Sequence, residues 1–181
     1  MSRQSQQGSF MLEALIGIMI FFVGILTMIM LQANSIAIQN DSQYRTEAGN
    51  LVDQILGQIN LNSRNDPSNP GAVNATTLAS FSHYPTGGTS TCKLLATDPL
   101  AGNDCCSFTG AASTNPVVTN WVGAVSITPA TRLPGSVTPN ATTSRQQIVV
   151  NAANNQVTVT VCWQGPNDGR PRHHRVIGYV N

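Results

Sequence analysis

Charge is scarce in this sequence. Asp, Glu, Lys and Arg together make up 9% of the 181 residues, against about a quarter in an ordinary soluble domain. From Leu61 onward the surface must therefore be built mainly from Thr, Ser, Asn and Gln, a composition suited to an extracytoplasmic protein. The same scarcity argues against nucleic acid as a partner, because displacing phosphate counterions takes dense Lys and Arg. The formal net charge is +1, and loss of Arg3 alone brings it to zero, so no charge-driven partner is implied. Catalytic signatures are missing as well. The chain has no Gly-x-Ser-x-Gly elbow, no phosphate-cradling glycine loop and no His-Glu-x-x-His. No Cys-x-x-Cys pair offers zinc-ligand spacing, and Asp98 and Asp104 lack the ligand series of a calcium loop. The expectation is a protein that is not an enzyme and carries no cofactor or metal.

Two further absences shape the N-terminal part. From Ala14 to Leu31 the only polar residue is Thr27, and no proline precedes Pro67. As a helix, Phe10 to Ala33 reaches roughly 36 Å, enough to cross a hydrocarbon layer of about 30 Å. No Ala-x-Ala cleavage site follows the apolar run; the small residue, Gly8, stands before it. Cleavage at Gly8 leaves the hydrophobic segment on the mature protein. Glu13 is the one carboxylate inside that segment. A charge there costs on the order of 3 kcal/mol, which makes an intramembrane carboxylate a functional candidate.

The helical pattern continues beyond the membrane-length part. Tyr44, Ala48, Leu51, Val52, Ile55, Leu56 and Ile59 recur at spacings of three and four, with Asp41, Arg45, Asp53 and Gln54 on the other side. This predicts an amphipathic helix whose stripe packs on the chain's own globular part. One continuous helix from about Phe10 to Asn60 would be roughly 75 Å long. Gly17, Gly24, Gly49 and Gly57 mark places for local bending or melting. Asn62 to Gly71 is a turn-rich breaker, and residues 72 to 120 read as a long loop region with at most one short helix or strand. Strands are expected at Trp121 to Thr128, Gln147 to Asn151, Gln156 to Trp163 and Arg175 to Val180. Val157, Val159 and Val161 alternate with Thr158, Thr160 and Cys162, the period of a half-buried strand. Turns are expected at Ala153-Asn154-Asn155 and Asn167-Asp168-Gly169. The result is an α+β chain with an antiparallel sheet of about four strands and no internal repeat.

Four cysteines, Cys92, Cys105, Cys106 and Cys162, lie downstream of the apolar segment and read as two disulfides in an oxidising compartment. Neighbouring cysteines do not easily bridge each other across a trans peptide. Cys105 and Cys106 therefore go to different partners, one to Cys92 and the other to Cys162, with the assignment open. Arg170 to Arg175 is the only basic cluster; a solvated strand edge is its simplest reading, ahead of a DNA contact.

These residues resemble the type IV pilin-like proteins, and specifically the PilV-type minor pilins. Gly8 matches the residue before the prepilin peptidase cut, Ser9 the first mature residue and Glu13 the fifth. Leu12-Glu13-Ala14-Leu15-Ile16-Gly17, Gly24-Ile25-Leu26 and Leu31-Gln32 are similar to that group's anchor. Trp121, Leu133-Pro134-Gly135 and Val157 to Val161 with Trp163 are similar to its spaced C-terminal pattern. The resemblance implies the type IV pilin fold, a long N-terminal helix packed on a C-terminal antiparallel sheet. It divides the chain into a leader (1–8), a transmembrane or filament-core half-helix (9–33), an amphipathic half-helix (34–60) and a disulfide-stapled sheet domain (61–181). It implies cleavage between Gly8 and Ser9, N-methylation of Ser9, and a register role for Glu13, whose carboxylate meets the α-amine of a neighbouring subunit. Ser9 departs from the family's usual first residue, Phe, which here stands next, at position 10. The partners implied are the prepilin peptidase, the inner-membrane assembly platform, other minor pilins and the major pilin. The expected location is the inner membrane with a periplasmic C-terminal domain, then the pilus at the cell surface. The implied role is priming or joining the tip of a type IV pilus in support of adhesion or motility. The alternatives are a minor pseudopilin of a type II secretion system and an uncleaved, membrane-anchored periplasmic binding domain.

Overall fold

The computed structural model describes residues 7–64, 71–87, 106–126, 133–136, 144–166, 168–169 and 171–180. The chain divides into two compact units, Met1–Ser42 and Gln43–Asn181. Helix α1 (Gln7–Ser63) contributes its first part to one unit and its second to the other. Gly17, Gly24, Gly49 and Gly57 all lie within α1, so the expected melting at these glycines does not occur. The helix ends three residues beyond the expected Asn60.

In the first unit the described side chains of α1 from Phe10 to Asn40 are exposed. Phe10, Leu15, Ile20, Phe21 and Leu26 are exposed, and no described residue of the second unit's core cluster covers them. Thr27, the one polar residue of the run, donates its hydroxyl to the Gly24 carbonyl at 2.7 Å, so the helix satisfies it internally. The span is long and apolar enough to cross a membrane by length and composition.

The second unit is built on the stripe read from the sequence. Ala48, Leu51, Val52, Ile55 and Ile59 are buried, with Tyr44 and Leu56 packed at the margin. They share one core with Ile148, Val157, Val159, Val161, Trp163 and Val180. Fully burying each Val, Leu or Ile side chain contributes roughly 1.5–3 kcal/mol. The sheet consists of β3 (Gln146–Asn151), β4 (Gln156–Trp163) and β5 (Arg172–Tyr179), antiparallel in the order β3-β4-β5. Val157 pairs with Val150 and Gly178, and Val161 with Gln146 and His174. Gly178 brings β5 close to α1, since a Cβ there would come within 3.2 Å of Leu56 Cδ2. The β3–β4 hairpin closes through Asn155 in a left-handed conformation (φ +52°), and the Ala153 N–H donates to Asn151 Oδ1 at 3.1 Å.

Trp121 to Thr128 is not a strand as far as it is described. It lies in helix α3 (Pro116–Ser126). Pro116 takes the first helical position, where its missing N–H costs nothing, and Asn115 Oδ1 accepts the Val117 N–H at 3.0 Å as a cap. Val118, Trp121 and Val125, three and four residues apart, bury one face. The β-branched composition points to a strand; the cap and the spacing point to a helix, and they prevail. Trp121 Nε1 donates to the Leu51 carbonyl at 2.8 Å, tying α3 to α1.

Among the described residues the main sheet thus has three strands rather than the expected four. The stretch expected as loop contains helix α2 (Ala75–Ser80), capped by Asn74 Oδ1 on the Thr76 and Thr77 amides, and a short ribbon of β1 (Thr86–Gly87) with β2 (Phe108–Thr109). β5 begins at Arg172, three residues before the expected start. The Cys106–Cys162 disulfide joins the segment before β2 to β4, with Cα atoms 5.8 Å apart. Cys92 and Cys105 lie outside the described residues.

Candidate functional site

Gly8, Ser9 and Glu13 all fall on α1, and Glu13 follows Ser9 by one helical turn. Glu13 is exposed, flanked by exposed Phe10, Met11, Leu12, Leu15 and Ile16. No hydrogen bond or ion pair joins its carboxylate to another described residue. The structure therefore holds one carboxylate on a surface that is otherwise apolar. Water solvates such a group readily; a hydrocarbon layer or an apolar helix bundle does not, unless it supplies a cation.

The basic cluster has a different character. Arg172 NH2 is bonded to Asp168 Oδ1 at 2.9 Å. Asp168 also closes the β4–β5 turn, its Oδ2 accepting the Gly165 N–H at 3.0 Å. Gln164 Nε2 donates to the Asp168 carbonyl. Arg170 and Asn167 lie outside the described residues. His173 pairs with Cys162 and His174 with Val161, so consecutive side chains take opposite faces and form no joint metal site. Among the described residues no group of three His, Cys, Asp or Glu could hold a metal ion. Asp98 and Asp104 lie outside the described residues. Partial burial, then the charges of Arg175 and His174, hold the His173 imidazole below its ordinary pKa.

His83 carries no sequence motif, yet among the described residues it is the buried titratable group of the second unit. Its backbone bridges Ile148 through paired bonds of 3.0 and 2.9 Å. Its Nδ1 accepts the Ser113 N–H at 3.1 Å, and its ring meets Tyr84 edge-on at 4.8 Å. Burial lowers its pKa. Nδ1 must stay unprotonated to accept, so His83 serves as a neutral structural clamp between β3 and the segment before α3. Only the fold reveals this role.

The Leu-Pro-Gly stretch also has a visible function in packing. Leu133 is buried, the Pro134 carbonyl accepts the Gln164 N–H at 2.8 Å, and Gly135 sits at φ +61° against Gln164. Ser136 Oγ donates to the Val125 carbonyl, and Gln146 Nε2 donates to the Ser136 carbonyl. This turn fastens the end of α3 to the sheet.

Fold and site together define an α+β protein with one N-terminal helix of membrane length and a lone carboxylate near its start. Comparison with protein-family models, with curated proteins and with solved structures finds no match.

Proposed function

We propose that the chain is a minor subunit of a type IV pilus, held in the inner membrane by α1 and then inserted near the filament tip to prime assembly. The observation that carries this reading is the placement of Glu13. It lies five residues after Gly8 on a helix whose surface is apolar and exposed from Phe10 onward, while the same helix buries its later stripe in a sheet-bearing unit. Removal of residues 1–8 would create an α-amine at Ser9. In a filament, Glu13 of one subunit pairs with the amine of its neighbour, because both charges need a partner in apolar surroundings. The peptidase, the assembly platform and the other pilins are the partners of that sequence of events, and the disulfide-linked unit faces outward or toward other minor pilins. Adhesion or motility would follow from filament assembly.

Intact mass of the membrane-extracted protein, wild type and Gly8→Ala, tests the reading first. Loss of residues 1–8 from the wild type alone supports it. Full-length mass in both overturns it and leaves a membrane-anchored domain. Glu13→Ala is then expected to insert in the membrane normally and to fail to enter filaments; normal incorporation would remove the register role. Recovery of the processed chain in a secretion pseudopilus rather than a pilus would move the same assembly physics to the second machine.

A further inference from the structure

The two edges of the main sheet are treated differently. At the β3 edge, Ile148 exchanges two backbone bonds with His83, and Phe108 does the same with Ser144 just before β3. That edge is covered. At the β5 edge no described residue bonds the outward backbone groups. The Val180 N–H donates to the Asn155 carbonyl at 2.9 Å, which sets the phase of the β4–β5 ladder. With the pairings Val157↔Gly178, Val159↔Val176 and Val161↔His174, the residues that turn N–H and C=O inward to β4 are the even-numbered ones. His173, Arg175, Ile177 and Tyr179 therefore aim theirs away from the sheet. The side chains of these four also share one face. Arg175, Ile177 and Tyr179 are exposed there, the last two by 52% and 60%.

An eight-residue strand whose outer edge no described residue covers is a template for another strand, and proteins ordinarily blunt such edges. Here the row of exposed side chains carries one cation and then two apolar groups. Arg175 makes no ion pair or hydrogen bond with a described residue, whereas Arg172 is bonded to Asp168. Residues 171–180 contain no Asp or Glu. We infer that the β5 edge docks an extended acidic segment of another polypeptide, which adds as a fourth strand with a carboxylate beside Arg175 and apolar side chains beside Ile177 and Tyr179. A second copy of this chain is a poorer fit: self-pairing of β5 brings arginines and histidines together with no carboxylate between them. A nucleic acid strand would meet a single unpaired arginine on this face, too few cations for phosphate binding. The inference is independent of the pilus reading, since it concerns only the Gln43–Asn181 unit.

The test uses the full chain in detergent micelles, isotope-labelled for amide resonances. The probe is a capped nine-residue peptide of alternating Thr and Val with Glu at its centre. Binding is expected to shift the amides of His173, Arg175, Ile177 and Tyr179. The same peptide with central Lys is expected to bind at least tenfold more weakly, and alternate backbone N-methylation of the Glu peptide to abolish binding. Arg175→Glu is expected to invert the Glu–Lys preference. Ile177→Pro removes an outward N–H together with the Ile177 side chain, takes no donor from the β4 ladder, and is expected to block docking in a folded protein. No binding of the Glu peptide, equal binding of the Glu and Lys peptides, equal binding of the N-methylated peptide, or dimerisation through β5 in place of peptide binding would each overturn the proposal.

Discussion

Helix α1 presents one backbone type in two environments. Ile20 and Leu26 are largely exposed, while Ile55 and Ile59, on the same helix, have no exposed surface. The difference does not come from helix propensity, which is similar for both stretches. It comes from pattern. In the first part apolar side chains surround the helix, and the described ones are exposed. In the second, one apolar stripe has a charged and polar opposite face, and the sheet together with α2 and α3 covers it. An all-round apolar helix left exposed, as here, is suited to lipid or to other helices; a striped one is covered by its own sheet and helices.

The largest effect expected from this contrast is on the disulfide. Cys106 and Cys162 are 56 residues apart in sequence, and by chain-entropy reasoning a loop of that size is worth about 4 kcal/mol. The paired Cys106→Ser and Cys162→Ser variant should lose most of the stability of the Gln43–Asn181 unit by urea titration, with the helicity of the first unit retained. Next, Ile55→Ala should cost about 2–5 kcal/mol by the same measurement. Trp121→Phe keeps the packing of α3 but removes the donor to Leu51, for an expected loss of about 1 kcal/mol. Ile20→Ala should change that stability by no more than about 0.5 kcal/mol. A large loss there would show that the first half-helix has a partner inside the chain after all, and the contrast would fail.

Acid should separate the two units as well. The folded pKa of His83 lies below the unfolded value of about 6.5, so the unfolded chain takes up the proton first. The stabilising contribution is complete above that unfolded value and is lost as pH falls below it toward the folded pKa. His173 adds in the same direction. Urea titrations at pH 7.5 and at pH 5 should show the loss. His83→Asn, whose Oδ1 can accept the Ser113 N–H without titrating, should flatten part of the slope and leave the His173 part; an unchanged slope would remove His83 from the account.

Much of this is legible in the sequence alone. The stripe from Tyr44 to Ile59, strand β4 and the Asn154-Asn155 turn each carry a local signal strong enough to read alone: a period of 3.6, a period of 2, and a residue type that tolerates positive φ. The spacing of Gly8 and Glu13 is readable directly from the sequence, and of the cysteines the open choice narrows to Cys106 with Cys162. Trp121 shows the limit. Its neighbours are valines and glycine, and the deciding facts are an asparagine cap and a carbonyl of α1 that lies 70 residues earlier in the chain. His83 shows the same limit more strongly, because burial and a bridge to Ile148 are long-range properties.

The sequence by itself determined that one helix is apolar all round near its start and striped further on, and that one carboxylate interrupts the apolar part, because side-chain order along a helix is a local matter. Only the tertiary structure decided which sheet edge is covered, which cysteine meets Cys162, and that the Trp121 segment is helical. Those outcomes depend on backbone groups and side chains distant in sequence satisfying one another in a single packed core.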